Sequence, residues 1–155
     1  MTAGGMVKKT PLHLYNVTRY NKVIAGIKLK PNDHVVSASL EEEEYMIVTK
    51  NGYCLRFETR EIPVSGVKTA GVKGISLKED DSVVAGRSIA TNHEYATIFT
   101  DHFTAKRVRL SDIEKISRAK RGSLILKKVK STVYSVCYFE LGDTKTMYVL
   151  KYTDE

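Results

Sequence analysis

Lys9, Arg56 and Arg107 each stand four residues after a turn position, Gly5, Gly52 and Phe103, so one structural site carries a cation three times along the chain. A second group precedes three similarly spaced glycines: Lys22 before Gly26, Lys68 and Lys73 before Gly74, and Arg118, Lys120 and Arg121 before Gly122. Cations repeated in phase can track the evenly spaced charges of a phosphate backbone, and neutralising those phosphates is the chemistry they suggest. The last third is the densest. Lys106, Arg107, Arg109, Lys115, Arg118, Lys120, Arg121, Lys127, Lys128 and Lys130 fall within 25 positions, opposed only by Asp112 and Glu114. The alternative, lysines solvated at random on strand faces, does not account for the phase. Across 155 residues the net charge is +7, which favours a polyanionic partner, duplex nucleic acid ahead of an anionic membrane.

Other chemistry finds little support. His13, His34, His93 and His102 are scattered without ligand spacing, and Gly71-Val72-Lys73-Gly74 lacks the context of a nucleotide-binding loop. Cys54 and Cys137 sit singly in apolar runs and read as inert core thiols in a reducing cytoplasm. No catalytic residue, metal site or cofactor is therefore expected. The acidic run of Glu41, Glu42, Glu43 and Glu44 reads as a solvated connector, or as a charge block that keeps a polyanion off one edge. No stretch has the roughly 18 apolar residues of a membrane span, and the opening residues do not read as a signal peptide.

The elements that must position these cations repeat. Gly26-Ile27-Lys28-Leu29-Lys30 aligns with Gly74-Ile75-Ser76-Leu77-Lys78 at an offset of 48 (74 − 26), and the same step reaches Gly122. A second motif repeats in phase: residues 2–10 match 49–57 and, more loosely, 100–108. Residues 45–49 and 53–57 are β-prone runs flanking Asn51-Gly52, a dipeptide suited to a tight hairpin turn. Residues 74–78 alternate apolar and polar side chains like a half-buried strand, and Asp80-Asp81 turns them into Val83-Val84. Residues 111–120 could hold one or two helical turns after a Ser111 cap, or form a charged loop. The expectation is one all-β unit over residues 1–155, a propeller-like array of four-stranded blades at about 1–40, 41–90 and 91–141, with 142–155 beginning or completing another. Because it opens at a turn and closes before one, the chain reads as a piece of a larger domain.

The motif Ile47-Val48-Thr49-Lys50-Asn51-Gly52-Tyr53-Cys54-Leu55-Arg56, followed by Gly71-Val72-Lys73-Gly74-Ile75-Ser76-Leu77, resembles the blade repeat at the C-terminus of the A subunits of bacterial type IIA topoisomerases. That resemblance implies a β-pinwheel, a disc whose blades exchange strands and whose basic rim binds and bends duplex DNA. It also implies a non-catalytic fragment of a bacterial cytoplasmic enzyme. The DNA-cleaving tyrosine would lie elsewhere in the parent polypeptide, whose remainder would be a partner together with an ATPase B subunit. The family's Gln-Arg-Arg-Gly-Gly-Lys-Gly box has only a degenerate counterpart, Ser117-Arg118-Ala119-Lys120-Arg121-Gly122-Ser123. This departure favours the topoisomerase IV branch, which positions DNA segments for strand passage, over the gyrase branch, which wraps DNA. A protein-docking propeller and an enzyme with an axial channel are the competing readings, since fold alone does not fix function.

Overall fold

The computed structural model describes residues 1–127 and 133–151. Among the described residues nine strands follow one another: β1 (Met6–Val7), β2 (Glu44–Thr49), β3 (Tyr53–Glu58), β4 (Val72–Lys73), β5 (Val83–Ile89), β6 (Tyr95–Thr100), β7 (Ala105–Arg109), β8 (Ser123–Leu124) and β9 (Val136–Gly142). Three short 3-10 turns, Leu12–Tyr15, Thr59–Glu61 and Leu110–Asp112, are the helical elements among the described residues. The all-β expectation holds.

The same turn opens each repeat. The amides of Gly5, Gly52 and Phe103 donate to the carbonyls of Thr2, Thr49 and Thr100 at 3.1, 3.0 and 3.1 Å. Each threonine is buried, and its hydroxyl accepts the amide of Met6, Tyr53 or Thr104. The turn residue has φ of 86°, 83° and 57° respectively, a left-handed conformation that glycine adopts freely and Phe103 adopts at a cost of about 1–2 kcal/mol.

The four-stranded sheet runs β5-β2-β3-β8, and its fourth strand comes from the next unit. β8 covers the edge of β3 through Tyr53↔Leu124 and Cys54↔Ser123, as β4 covers β1 through Met6↔Lys73 and Val7↔Val72. Each of these two units thus sends an arm, running from its 3-10 turn to its two-residue strand, onto the preceding one. The third sheet is β7-β6-β9, and the outer edge of β7 is unpaired among the described residues.

β2 is apolar on both faces because a unit lies on each side of it. Met46 and Val48 join one core cluster with Ile98, Leu110, Ile113 and Phe139, whereas Tyr45 and Ile47 join another with Val7, Leu55, Phe57 and Ile75. Strand alternation produces this split, and it makes the sheet a wall between two cores.

Four expectations change. Residues 74–78 form no strand: the carbonyl of Gly5 takes the amides of Gly74 and Ile75, but the amide of Ser76 turns to Lys120 O, so no ladder develops. Residues 111–120 form the charged loop and hold no helical turns capped by Ser111: they contain the end of the 3-10 turn Leu110–Asp112, in which Ser111 lies, then a loop with a turn at Arg118 and Ala119. Gly122 is the counterpart of Gly71, not Gly74, at an offset of 51 (122 − 71), for both have left-handed φ and sit against the preceding hairpin. Finally, Cys54 is buried, which pushes its thiol up to about 12, but Cys137 is exposed and is no core thiol.

Candidate nucleic-acid interface

The structure divides the sequence-selected cations into two sets. On β3, Arg56 shares the face of Cys54, two residues earlier, and this face looks into the core shared with the third unit. Its Nε donates to Glu44 Oε2 at 2.6 Å, and its Nη1 donates to Leu110 O at 2.7 Å and Ile113 O at 3.3 Å. Lys9 repeats the arrangement one unit earlier, with Nζ on Glu41 Oε1 at 2.8 Å and Thr59 O at 3.4 Å. Arg107 is more exposed. Its guanidinium lies 4.1 Å from the Tyr95 ring centroid and donates through Nη2 to Asp143 O. Lys106 is also exposed, with Nζ on Ile125 O at 2.6 Å.

The acidic run belongs to this first set. Lys115 Nζ lies 3.2 Å from Glu44 Oε1 and 3.0 Å from Glu58 Oε1, so Glu44 joins β3 to the arm of the third unit. Burial pushes the Glu44 carboxyl up, but the hydrogen bonds and charges of Arg56 and Lys115 outweigh it and hold the group below its ordinary range. The Glu58 carboxyl is likewise held low, chiefly by Lys115. Glu41 and Glu44 are thus partners of the turn-phase cations and not simply solvated connectors.

The second set lies on the arms of the second and third units and, for Lys22, on the stretch after the 3-10 turn Leu12–Tyr15 that serves as the first arm. Lys22, Lys68, Lys73, Lys120 and Arg121 are all exposed, and none joins the ion pairs seen among the described residues. Successive arms run side by side, tied by Lys28 N to Thr69 O at 3.1 Å and, one unit on, Ser76 N to Lys120 O at 2.9 Å. The first tie sets Lys68 near Lys28 of the first unit, and the second sets Lys73 near Lys120 and Arg121. The Arg121 guanidinium lies 5.4 Å from the Tyr53 ring centroid, within cation–π range. Arg118 differs from its neighbours, being half-buried with its guanidinium on main-chain carbonyls of the second unit. Lys128 and Lys130 lie outside the described residues.

Sequence reasoning gave no role to Lys8 or Glu58, and it did not anticipate the pairing of Lys115 with Glu44 or of Arg121 with Tyr53. A signal did exist for the turn-phase cations. Lys9 and Arg56 each follow a buried residue, Val7 and Cys54, by two positions, so strand alternation directs them toward the core side. Among the described residues no three His, Cys, Asp or Glu side chains form a metal set, and no helix is long and apolar enough to cross a membrane. His93 caps its own loop, Nδ1 accepting the amide of Ala90 at 3.0 Å.

An array of β-units whose arms pair with the preceding unit and carry exposed cations defines a class, and comparison with known proteins agrees with it. The chain belongs to the family described as DNA gyrase C-terminal domain, beta-propeller, whose sequence model matches residues 1–40, 43–90 and 98–131. Within it the chain is similar to the A subunits of topoisomerase IV, in keeping with the degenerate box. It is 41% identical to the A subunit of DNA topoisomerase 4 from Bacillus subtilis over 87% of this chain, and 42% identical to the one from Streptococcus pyogenes over 88%. A crystal structure of the C-terminal domain of DNA topoisomerase IV superposes with a TM-score of 0.87 at 40% identity, covering 92% of this chain and 45% of that one. The E. coli ParC C-terminal domain shares the fold, with a TM-score of 0.59 at 16% identity over 75% of this chain and 49% of that one. The chain spans only 17% of the length of the curated relatives named here.

Proposed function

We propose that this chain is a non-catalytic duplex-DNA-binding and bending element of a topoisomerase IV, carried on its A subunit and positioning DNA segments for strand passage. The observation that carries the reading is the set of exposed cations on adjoining arms, Lys73 near Lys120 and Arg121, Lys68 nearer the first unit, and Lys22 on the first arm. They can contact phosphates without breaking an internal ion pair. Such contacts read backbone and curvature instead of base sequence. In the whole enzyme the cleaving tyrosine belongs to another part of the same polypeptide, ATP is handled by a B subunit, and this element supplies no cofactor chemistry of its own. The setting is the bacterial cytoplasm.

Filter binding of a duplex across a salt series tests the reading. Four to six phosphate contacts give a slope of log affinity against log salt of about −4 to −5 with little base preference. A slope near −1, or strong preference for one sequence, overturns it.

A further inference from the structure

The three cations of residues 117–123 do different work. Lys120 and Arg121 are exposed, whereas the Arg118 guanidinium turns inward, Nε donating to Glu61 O at 3.0 Å and Nη1 to Lys73 O. The Arg118 amide donates to Glu61 Oε2 at 2.9 Å. Both acceptor residues belong to the second unit, one in its 3-10 turn and the other in its arm strand. Two main-chain bonds complete the joint: Ala119 N to Gly74 O and Ser76 N to Lys120 O, each 2.9 Å. Ala119 takes a φ of 65° to make its bond, a conformation that an alanine holds only when its surroundings impose it.

The joint between the first and second arms is built alike from different residues. There Lys8 Nζ bridges Gly26 O at 2.7 Å and Val67 O, beside the main-chain bond from Lys28 to Thr69. Val67 stands 51 positions before Arg118 (118 − 67), so the second unit has no guanidinium at that place and draws its cation from the residue that follows β1. At both joints a side-chain cation adds bonds to main-chain carbonyls of the neighbouring arm beyond the main-chain bonds between arms.

We propose that Arg118 is a positioning residue for DNA: it contacts no phosphate, and it fixes Lys73 of one arm against Lys120 and Arg121 of the next so that their charges form one track. This rests on the DNA-binding reading above. A guanidinium can reach two carbonyls in different directions through its rigid fork, and the point charge of a lysine cannot reproduce that.

The test compares Arg118→Lys, Arg118→Gln and Lys120→Gln in the full chain, by filter binding across salt and by amide hydrogen exchange without DNA. Arg118→Lys and Arg118→Gln are expected to weaken binding alike, roughly ten-fold, the worth of one lost hydrogen bond to a charged group, with the salt slope unchanged. Lys120→Gln should make the slope shallower by about 0.9. In both Arg118 variants the amides of Ala119 and Ser76 should exchange faster. Parental affinity in Arg118→Lys, with a slope about 0.9 shallower in Arg118→Gln, would make Arg118 a phosphate contact and overturn the proposal. Unchanged protection of those two amides would overturn the joint itself. If the parent chain shows no salt-dependent duplex binding while the amides respond as expected, the DNA reading fails and the joint stands.

Discussion

Lys9 and Arg56 make the same contact one unit apart: Lys9 Nζ reaches Thr59 O at 3.4 Å, and Arg56 Nη1 reaches Leu110 O at 2.7 Å. Thr59 and Leu110 each open the 3-10 turn of the following unit, so the recurring cation ties a hairpin to the turn against which it lies. The periodicity that suggested a phosphate track is, at these two positions, a periodicity of internal fasteners. Arg107 occupies the third such position, and its partners are Tyr95 and Asp143.

Replacing Arg56 should therefore damage the fold and spare the DNA slope. Its side chain and that of Glu44 are 19% and 20% exposed, so removing the guanidinium leaves Glu44 with Lys115 alone and takes the side-chain donor from Leu110 O and Ile113 O in a poorly solvated place. Arg56→Gln is expected to lower unfolding free energy by about 2–4 kcal/mol in urea titration. The salt dependence of DNA affinity should stay parental under conditions where the variant is folded. A stable variant with a shallower slope would return Arg56 to the interface.

The Glu44 cluster makes stability depend on pH in a definite sense. Folded Glu44 and Glu58 both titrate below their ordinary range, so the folded state binds fewer protons than the unfolded one as acid is added. The stabilisation is complete above the ordinary carboxylate value of about 4.3 and is lost as pH falls through the depressed folded values. Urea midpoints between pH 6 and pH 3 should fall less steeply for Glu44→Gln than for the parent, from a lower plateau at pH 6. Parallel curves would show that Arg56 and Lys115 are not coupled to this carboxylate.

Much of this architecture was legible in the sequence because hairpins are local. Asn51-Gly52 between two β-prone runs specifies β2 and β3, and the threonine-led turn repeats visibly at Thr2, Thr49 and Thr100. The arms were not legible. β4 and β8 are two residues each, too short for alternation to register, and they pair with a preceding unit instead of their own. Spacing alone equated Gly122 with Gly74, since the second unit has glycines at both 71 and 74, whereas the third has Gly122 followed by Ile125. Only the pairing partners reveal which glycine corresponds. The internal partners of Lys9 and Arg56 were not legible for a related reason: whether a strand face meets solvent or another unit depends on contacts outside the repeat.

That correspondence makes its own prediction. A Cβ on Gly122 would lie 1.9 Å from Cys54 O, and one on Gly71 would lie 2.3 Å from Val7 O, both at left-handed φ, whereas a Cβ on Gly66 meets nothing within 4 Å. Backbone stands in the way at the first two positions, so the arm must lift from the hairpin it covers. Gly122→Ala and Gly71→Ala should each cost roughly 3 kcal/mol or more, combining overpacking with left-handed strain. Gly66→Ala should be neutral or stabilising by about 0.4–1 kcal/mol. Thermal melts of the three variants are sufficient to check the order.

The division of cations into fasteners and track predicts unequal effects from equal changes of charge. Lys73, Lys120 and Arg121 lie on adjoining arms, whereas Lys30, Lys50 and Lys78 are equally exposed but lie off the arm strands and their joints. Reversing either triple to glutamate changes the net charge by the same amount. Long-range attraction, screened over about 8 Å at physiological ionic strength, would treat the two nearly alike, and a difference between them reports direct contact. The arm triple should weaken duplex binding far more and make the salt slope shallower by up to about 2.7, three contacts at about 0.9 each. The control triple should weaken binding modestly at low salt and leave the slope near the parental value. The arm reversal should also erase any preference for a pre-bent duplex over a stiff one, because bending is offset only by the contacts it adds. Filter binding at several salt concentrations, with circular dichroism to verify folding, decides between the two surfaces. Equal losses from both triples would reduce the interface to net charge and remove the arms from it.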